Sequence, residues 1–312
     1  QWNQKSEQGQ QSSKEALACD LTYLRALGLS GMAPPLATPD PWHGDDFMAE
    51  FIEADSHGFV SPLFAYAPVK RLLEPRPLAT AVQLLSEAES KLRAKGFTPP
   101  IWAIADEPSN PGMQKVDFVT LDKAIRQSAK RAKIAAHLNT PHDKDYLQML
   151  DVVLINPGYG ADEADIQDIK AKGVVPWFYN MSTTRPASGF YLWRTGAKGY
   201  LQWHARMPTA DPFDPTDGRE ADVQFLYPMI SPCPKIPDIH EDLLLMAEGI
   251  VDLRWLKWLE TRKESEARAL LADMRKQVPR HWQEMLDMGS DAPVRFRKRI
   301  TDLAERITGA RK

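Results

Sequence analysis

Short apolar runs alternate along this chain with amphipathic helical stretches, and the residues that punctuate them have one polarity. Runs with strand character are Leu29 to Ala33, Gly58 to Phe64, Pro100 to Ala105, Lys133 to Leu138, Asp151 to Ile155, Val174 to Tyr179 and Gly199 to Trp203. Between them, Pro77 to Lys95 sets Leu84, Leu85, Ala88 and Leu92 on one helical face, and Gln114 to Lys133 repeats Val116, Val119, Ala124 and Ile125 at similar spacing. Gly28, Gly58, Gly96, Gly173 and Gly199 each precede a strand, where a helix must end and the chain turn back, the position of a glycine C-cap. The far ends of the strands carry Pro34-Pro35, Ala67-Pro68, Asp106-Glu107-Pro108, Asn139-Thr140-Pro141, Asn156-Pro157 and Tyr179-Asn180. Such alternation predicts an α/β fold with parallel strands.

The expected architecture is a (β/α)8 TIM-type barrel, in which the polar strand ends form the active face. Seven strands are read. Gln1 to Leu27 reads as a polar loop and then a helix with Leu17, Leu21 and Leu24 on its apolar face, so the first of eight strands is expected upstream of the residues given. Residues 1–238 are taken as the barrel, ending in a Pro- and Asp-rich loop, Met207 to Asp238, and residues 239–312 as C-terminal helices packed on it. Those helices are expected over Ile239 to Thr261, continuing to Gln277, and over Arg280 to Thr308. The first carries Leu244, Leu245, Ile250, Leu253, Leu256 and Leu259 as an apolar stripe, with Trp255 and Trp258 read as packing residues. An open doubly wound sheet is the alternative, but no glycine-rich nucleotide fingerprint follows an early strand.

The length of 312 residues suits one barrel-sized domain or two smaller ones, and 43% hydrophobic with 26% charged residues is ordinary for a globular protein. A net charge of −3 with no dense basic stripe before the last helix argues against a nucleic-acid partner; Arg295, Arg297, Lys298 and Arg299 read as a solvated helix end. Two distant cysteines, Cys19 and Cys233, exclude a disulfide framework and a cysteine-based zinc site. No uninterrupted apolar stretch is long enough to span a membrane. The chain starts at Gln1 with no methionine and no signal-peptide pattern, read as a processed or truncated start.

The chemistry concentrates at Asp106-Glu107, two acids that end an apolar run and are followed by Pro108, which keeps Glu107 out of the helical region. Strand ends also offer Asn139, His142, Asn156, Tyr159, Trp177, Tyr179, Asn180, Trp203 and His204. Carboxylates for acid–base work, amides to read hydroxyls and aromatic faces to stack on a pyranose are what a sugar pocket needs. Adjacent residues of a regular strand point to opposite faces, so both acids reach one ligand only if the strand has already ended. Ordinary glycosidases take their two carboxylates from separate places. An Asp-Glu pair suits catalysis in which the substrate's own acetamido oxygen is the nucleophile. No metal site is read from the seven histidines: none forms a His-Glu-x-x-His pattern, and His137 and His142 merely flank a turn. No cofactor is called for, and a serine-hydrolase elbow is absent.

Ala105-Asp106-Glu107-Pro108, Asn139-Thr140-Pro141, Trp177-Phe178-Tyr179-Asn180 and Gly199-Tyr200-Leu201-Gln202-Trp203 together resemble glycoside hydrolase family 123 and the related barrel domains of unassigned function. Phe225-Leu226-Tyr227-Pro228 and Glu248-Gly249-Ile250-Val251-Asp252 fit the same pattern. The resemblance implies a (β/α)8 barrel removing β-linked N-acetylgalactosamine with retention, from an oligosaccharide or glycoconjugate, in an extracellular or periplasmic setting. It implies Glu107 as general acid/base and Asp106 as the group that holds the acetamido nitrogen. Asn139, Asn156, Trp177, Tyr179, Asn180, Trp203 and His204 are the expected substrate-binding residues. The chain departs from the family in lacking a β-sandwich before the barrel and in having Ile239-His240-Glu241 where a serine-arginine pair is usual. The rival readings are a glycosidase for another sugar, with its second acid at Asp162 or Asp211, and a catalytically silent carbohydrate-binding barrel. Oligomeric state is not legible.

Overall fold

A computed structural model describes residues 7–33, 47–59, 64–66, 78–109, 115–129, 132–203, 205, 225–227, 233 and 238–309. Six strands among the described residues form one sheet: β1 (Phe64–Tyr66), β2 (Ile101–Asp106), β3 (Lys133–Leu138), β4 (Val152–Ile155), β5 (Val175–Tyr179) and β6 (Tyr200–Leu201). Every pairing is parallel and the spatial order is the chain order, in a sheet curled into a half-barrel. Helices α1 (Glu7–Ala26) and α2 (Phe47–Ser56) precede β1. The crossovers are α3 (Leu78–Ala94), α4 (Lys115–Ser128), a 3-10 helix (Pro141–Met149), α5 (Glu163–Ala171), and the short pair α6 (Thr184–Ser188) and α7 (Phe190–Thr195). After β6 come α8 (Glu241–Glu260), α9 (Ser265–Gln277), α10 (Trp282–Asp287) and α11 (Asp291–Gly309). No helix among the described residues is long and apolar enough to cross a membrane.

The strands are apolar on both faces, which is why they read as continuous runs. Trp102, Ile104, Ala136, Leu138, Val153, Ile155 and Phe178 join the helices in a large core. Buried Leu17, Leu21 and Leu24 of α1, Leu85, Ala88 and Leu92 of α3, and Leu121 and Ile125 of α4 supply that core from the helix side. Each such leucine or isoleucine contributes roughly 1.5–3 kcal/mol. Phe64, Ile101, Ala103, Ala135, Val152, Leu154 and Tyr179 form a second, smaller cluster on the concave face, with Ala33, Trp177 and Leu201 packed against it. On the helix side Trp102 Nε1 donates to the buried Glu89 carboxylate of α3 at 2.9 Å, which fixes β2 against its crossover helix.

Leu29 to Ala33 forms no strand. It runs beside β1 with one ladder-like bond, from Phe64 N to Met32 O at 3.1 Å. Of Gly58 to Phe64, only Phe64 is in a strand; Gly58 instead closes the turn after α2, and residues 60–63 lie outside the described residues, as do Pro34-Pro35 and Ala67-Pro68. Gly28, Gly58, Gly96 and Gly173 have the left-handed φ of helix ends, but Gly199 does not. Gly199 is needed for space: a Cβ there would run into the Trp177 ring, and Gly196 (φ 71°) ends α7 instead.

The C-terminal helices are four rather than two or three. Thr261 closes α8 and extended Glu264 opens α9, Val278 is extended ahead of Pro279, and Gly289 (φ 72°) divides α10 from α11. The α8 stripe begins one residue earlier than the spacing suggests: Leu243 and Met246 are buried, whereas Leu244 and Leu245 are 46% and 36% exposed. Trp255 and Trp258 are packing residues, edge to face at 5.6 Å and against the core. Gly249 and Asp252 have structural work. A Cβ on Gly249 would collide with Ser188 Oγ and Arg185 O of α6, and fully buried Asp252 accepts from Arg185 Nε at 3.0 Å and from Arg297 Nε of α11. Phe225 and Leu226 are buried too, and His240 N donates to Phe225 O, which clips this segment to the start of α8. The two cysteines, which the sequence does not pair, are bonded: Cys19 of α1 and Cys233 have Cα atoms 5.5 Å apart across 214 residues.

Candidate active site

A β-bulge decides where the two acids point. Ile101, Trp102 and Ala103 pair in step with Lys133, Ile134 and Ala135, but Ala105 and Asp106 then pair with Ala136 and His137, so Ile104 is an extra residue. Were β2 regular with all of these residues in it, Asp106 would share the outward phase of Trp102 and Ile104. With the bulge, Ile104 and Ala105 both lie in the helix-side core and Asp106 falls in the inward phase of Ile101 and Ala103. The strand then stops, because Glu107 adopts φ 48°, a left-handed conformation costly for a residue with a Cβ. Its N–H still donates to His137 O at 2.9 Å, while its side chain swings to the same side as Asp106. Tyr179 of the concave cluster donates its hydroxyl to Glu107 Oε1 at 2.9 Å, and His137 Nδ1 lies 3.8 Å from Asp106 Oδ1. Adjacent acids thus face one side, both partly exposed.

The electrostatics of the floor follow from burial. Tyr179 is buried, and desolvation first, then the Glu107 charge and the hydrogen bond to it, push its phenol far up, so it remains a donor to the carboxylate. His137 is buried between β2 and β4, and desolvation lowers its pKa against the opposing pull of Asp106, the Ala105 backbone and Glu107. The neutral imidazole packs edge to face on the Tyr179 ring at 5.0 Å. Trp177, two residues below Tyr179 on the same face, packs edge to face on Phe64 at 4.9 Å and covers Gly199.

The other expected residues divide into groups. Asn180, also left-handed (φ 43°), accepts from Trp203 N through Oδ1 at 3.0 Å, so this pair ties the ends of β5 and β6 together. Trp203 is exposed there. Asn156 accepts from Gly158 N and Tyr159 N at 2.9 and 3.3 Å, which shapes the loop after β4. Asn139 ends β3, and its carbonyl is so close to Gly158 that no Cβ would fit between them. Tyr159 is buried, its hydroxyl pushed up to about 12 by burial. His204 and Asp211 lie outside the described residues. Asp162 caps α5, accepting from Trp282 N at 2.8 Å with His281 Nδ1 at the same distance, so its role is to seat the start of α10 at the N-terminus of α5.

Asp106, Glu107 and Tyr179 therefore meet, and His137 joins them. An ionisable residue inside the otherwise apolar run Lys133 to Leu138 was the available signal for His137. No group of three or more His, Cys, Asp or Glu side chains among the described residues is arranged to hold a metal ion. The arrangement can donate a proton from one acid while its neighbour accepts a hydrogen bond or stabilises positive charge. Neither protein-family models nor curated proteins match the chain.

Proposed function

We propose that this protein is a glycoside hydrolase that removes β-linked N-acetylgalactosamine, or a related N-acetylhexosamine, with retention by substrate-assisted catalysis. The observation that carries the reading is the pairing of the Ile104 bulge with the left-handed Glu107, which turns two consecutive acids to one side of a strand end. The motif resemblance supplies the sugar. The order of the six parallel strands and the second apolar cluster on their concave face support a (β/α)8 barrel as the complete architecture. The Cys19–Cys233 bond agrees with an extracellular or periplasmic setting, where disulfides persist.

In this mechanism protonated Glu107 gives its proton to the glycosidic oxygen as the C1–O bond breaks. The substrate's acetamido oxygen attacks C1 and forms an oxazolinium ion, whose N–H is held by the Asp106 carboxylate. Glu107, now ionised, removes a proton from water as it opens the ring at C1, and the β configuration returns. Tyr179 holds Oε1 of Glu107 and so fixes the orientation of its carboxyl group. Neutral His137 adds no competing charge beside Asp106.

The test is turnover of aryl β-N-acetylgalactosaminides. Asp106→Asn and Glu107→Gln should each lose about 10²–10⁴-fold, with Glu107→Gln sparing substrates whose leaving groups need little protonation. Full activity in either variant overturns the assignment. A thiazoline mimic of the oxazolinium should bind tightly; if the enzyme hydrolyses glycosides yet ignores it, another sugar and another second acid are indicated.

A further inference from the structure

We propose that Asp143 is a positioning residue for this site, acting through Ser109 to hold the turn that carries Glu107; the inference rests on the reading of Asp106 and Glu107 as the catalytic pair. Asp143 lies in the 3-10 helix after β3 and is wholly buried. Its carboxylate accepts the Ser109 hydroxyl, which comes from the turn after β2, while Asp143 itself follows directly on the end of β3. One side chain therefore joins the ends of the two strands that carry Asp106 and His137. Helix capping does not account for it, because Thr140 Oγ1 already accepts from His142 N as the N-cap of that helix.

Burying a carboxylate is costly, and the cost shows: desolvation raises the Asp143 pKa although the Ser109 hydrogen bond, the nearby Asn139 and Thr140 backbone and the His142 charge pull it down. The reason for placing it there lies two residues from Ser109. A left-handed glutamate persists only where its surroundings over-determine it. Glu107 is fixed upstream by its own N–H on His137 O and at its tip by Tyr179. Downstream, Pro108 is buried with a ring-locked φ, and Ser109 is the next point of attachment. Among the described residues, the Asp143 bond is the attachment of this turn downstream of Glu107.

The experiment uses the full chain with Ser109→Ala, Ser109→Thr and Asp143→Asn. Amide exchange at Glu107 should quicken by about tenfold or more in Ser109→Ala and Asp143→Asn, while the Phe178 amide in β5 is unchanged and Ser109→Thr, which keeps the hydroxyl, behaves as wild type. The kcat/KM of the two impaired variants should fall about tenfold further for aryl glycosides with poor leaving groups than for those with good ones, because a misplaced acid matters most where protonation is hardest. Unchanged exchange at Glu107, or an equal loss for both substrate types, overturns the proposal. If Asp143→Asn does not fold, the two variants at exposed Ser109 decide it alone. Absence of turnover by the wild type instead removes the functional reading and the catalytic half of this inference with it, while the exchange result still decides whether the clamp exists.

Discussion

Reducing the Cys19–Cys233 bond should remove more stability than any single side-chain change at the surface. The two residues are separated by 214 positions, and all six strands and the candidate site lie inside the loop they close. A cross-link restricts the unfolded chain by an entropy that grows with the logarithm of loop length. For a loop of this size the loss is about 18 cal/mol/K, or about 5.4 kcal/mol at 25 °C. Domains are commonly stable by about 5–15 kcal/mol, so this is a large share. With a urea slope of about 3 kcal/mol/M, the unfolding midpoint should drop by about 1.8 M on reduction. The assay is urea unfolding followed by tryptophan fluorescence, with and without reductant, beside a Cys19→Ser/Cys233→Ser double variant that should match the reduced protein and ignore reductant. Thiol titration of the unfolded, unreduced chain should find no free thiol. Two free thiols, or midpoints that coincide, would refute the argument.

Other consequences can be checked separately. Deleting Ile104 should restore a regular β2 that keeps Asp106 inward opposite His137, whereas inserting an alanine between Ala105 and Asp106 should turn Asp106 toward the helices and lower turnover at least as far as Asp106→Asn while the circular dichroism spectrum is kept. Gly249→Ala should destabilise by about 1–3 kcal/mol, read as a lower thermal midpoint, since its Cβ has no room beside Ser188 and Arg185. Burial holds His137 below its unfolded value of 6.5, so the unfolded chain takes up the proton first as pH falls. Stability present above pH 6.5 should then decline below it, by up to about 1.4 kcal/mol per pH unit from this group until the folded imidazole also protonates. In His137→Gln the urea midpoint should be flatter between pH 7.5 and 5.5, and an identical slope would rule His137 out as the source.

Elements whose boundaries are local were legible. β3, β4, β5 and β6 fall within the apolar runs, β2 passes its run by Asp106 alone, and α3 lies within Pro77 to Lys95, because burial and helical spacing are written in consecutive residues. The bulge was not. Ile101 to Ala105 is buried on both faces, so its sequence carries no phase, and the direction of Asp106 is set by pairing with β3. The bond from Tyr179 to Glu107 spans 72 residues and the disulfide 214, distances at which composition and periodicity are silent. One segment that carries part of the resemblance, Glu248 to Asp252, is architectural for a reason equally silent in the sequence. Gly249 and Asp252 serve the seam between α6, α8 and α11, and only the partner helices reveal it. The one-residue error in the α8 stripe arose because Leu243, Leu244 and Leu245 are consecutive and equally apolar, leaving the helix rotation undetermined by its first turn.

Glu107 and Asn180 are the two non-glycine residues with left-handed backbones among the described residues, and each closes a strand of the sheet. Such a residue costs on the order of 1 kcal/mol, which the surrounding fold must continuously supply. On gentle heating or in dilute urea, the turn at Glu107 can therefore relax while the sheet beneath it stays paired. Loss of turnover should precede loss of strand structure, so a thermal shift measured on the whole protein would overstate the range in which it works.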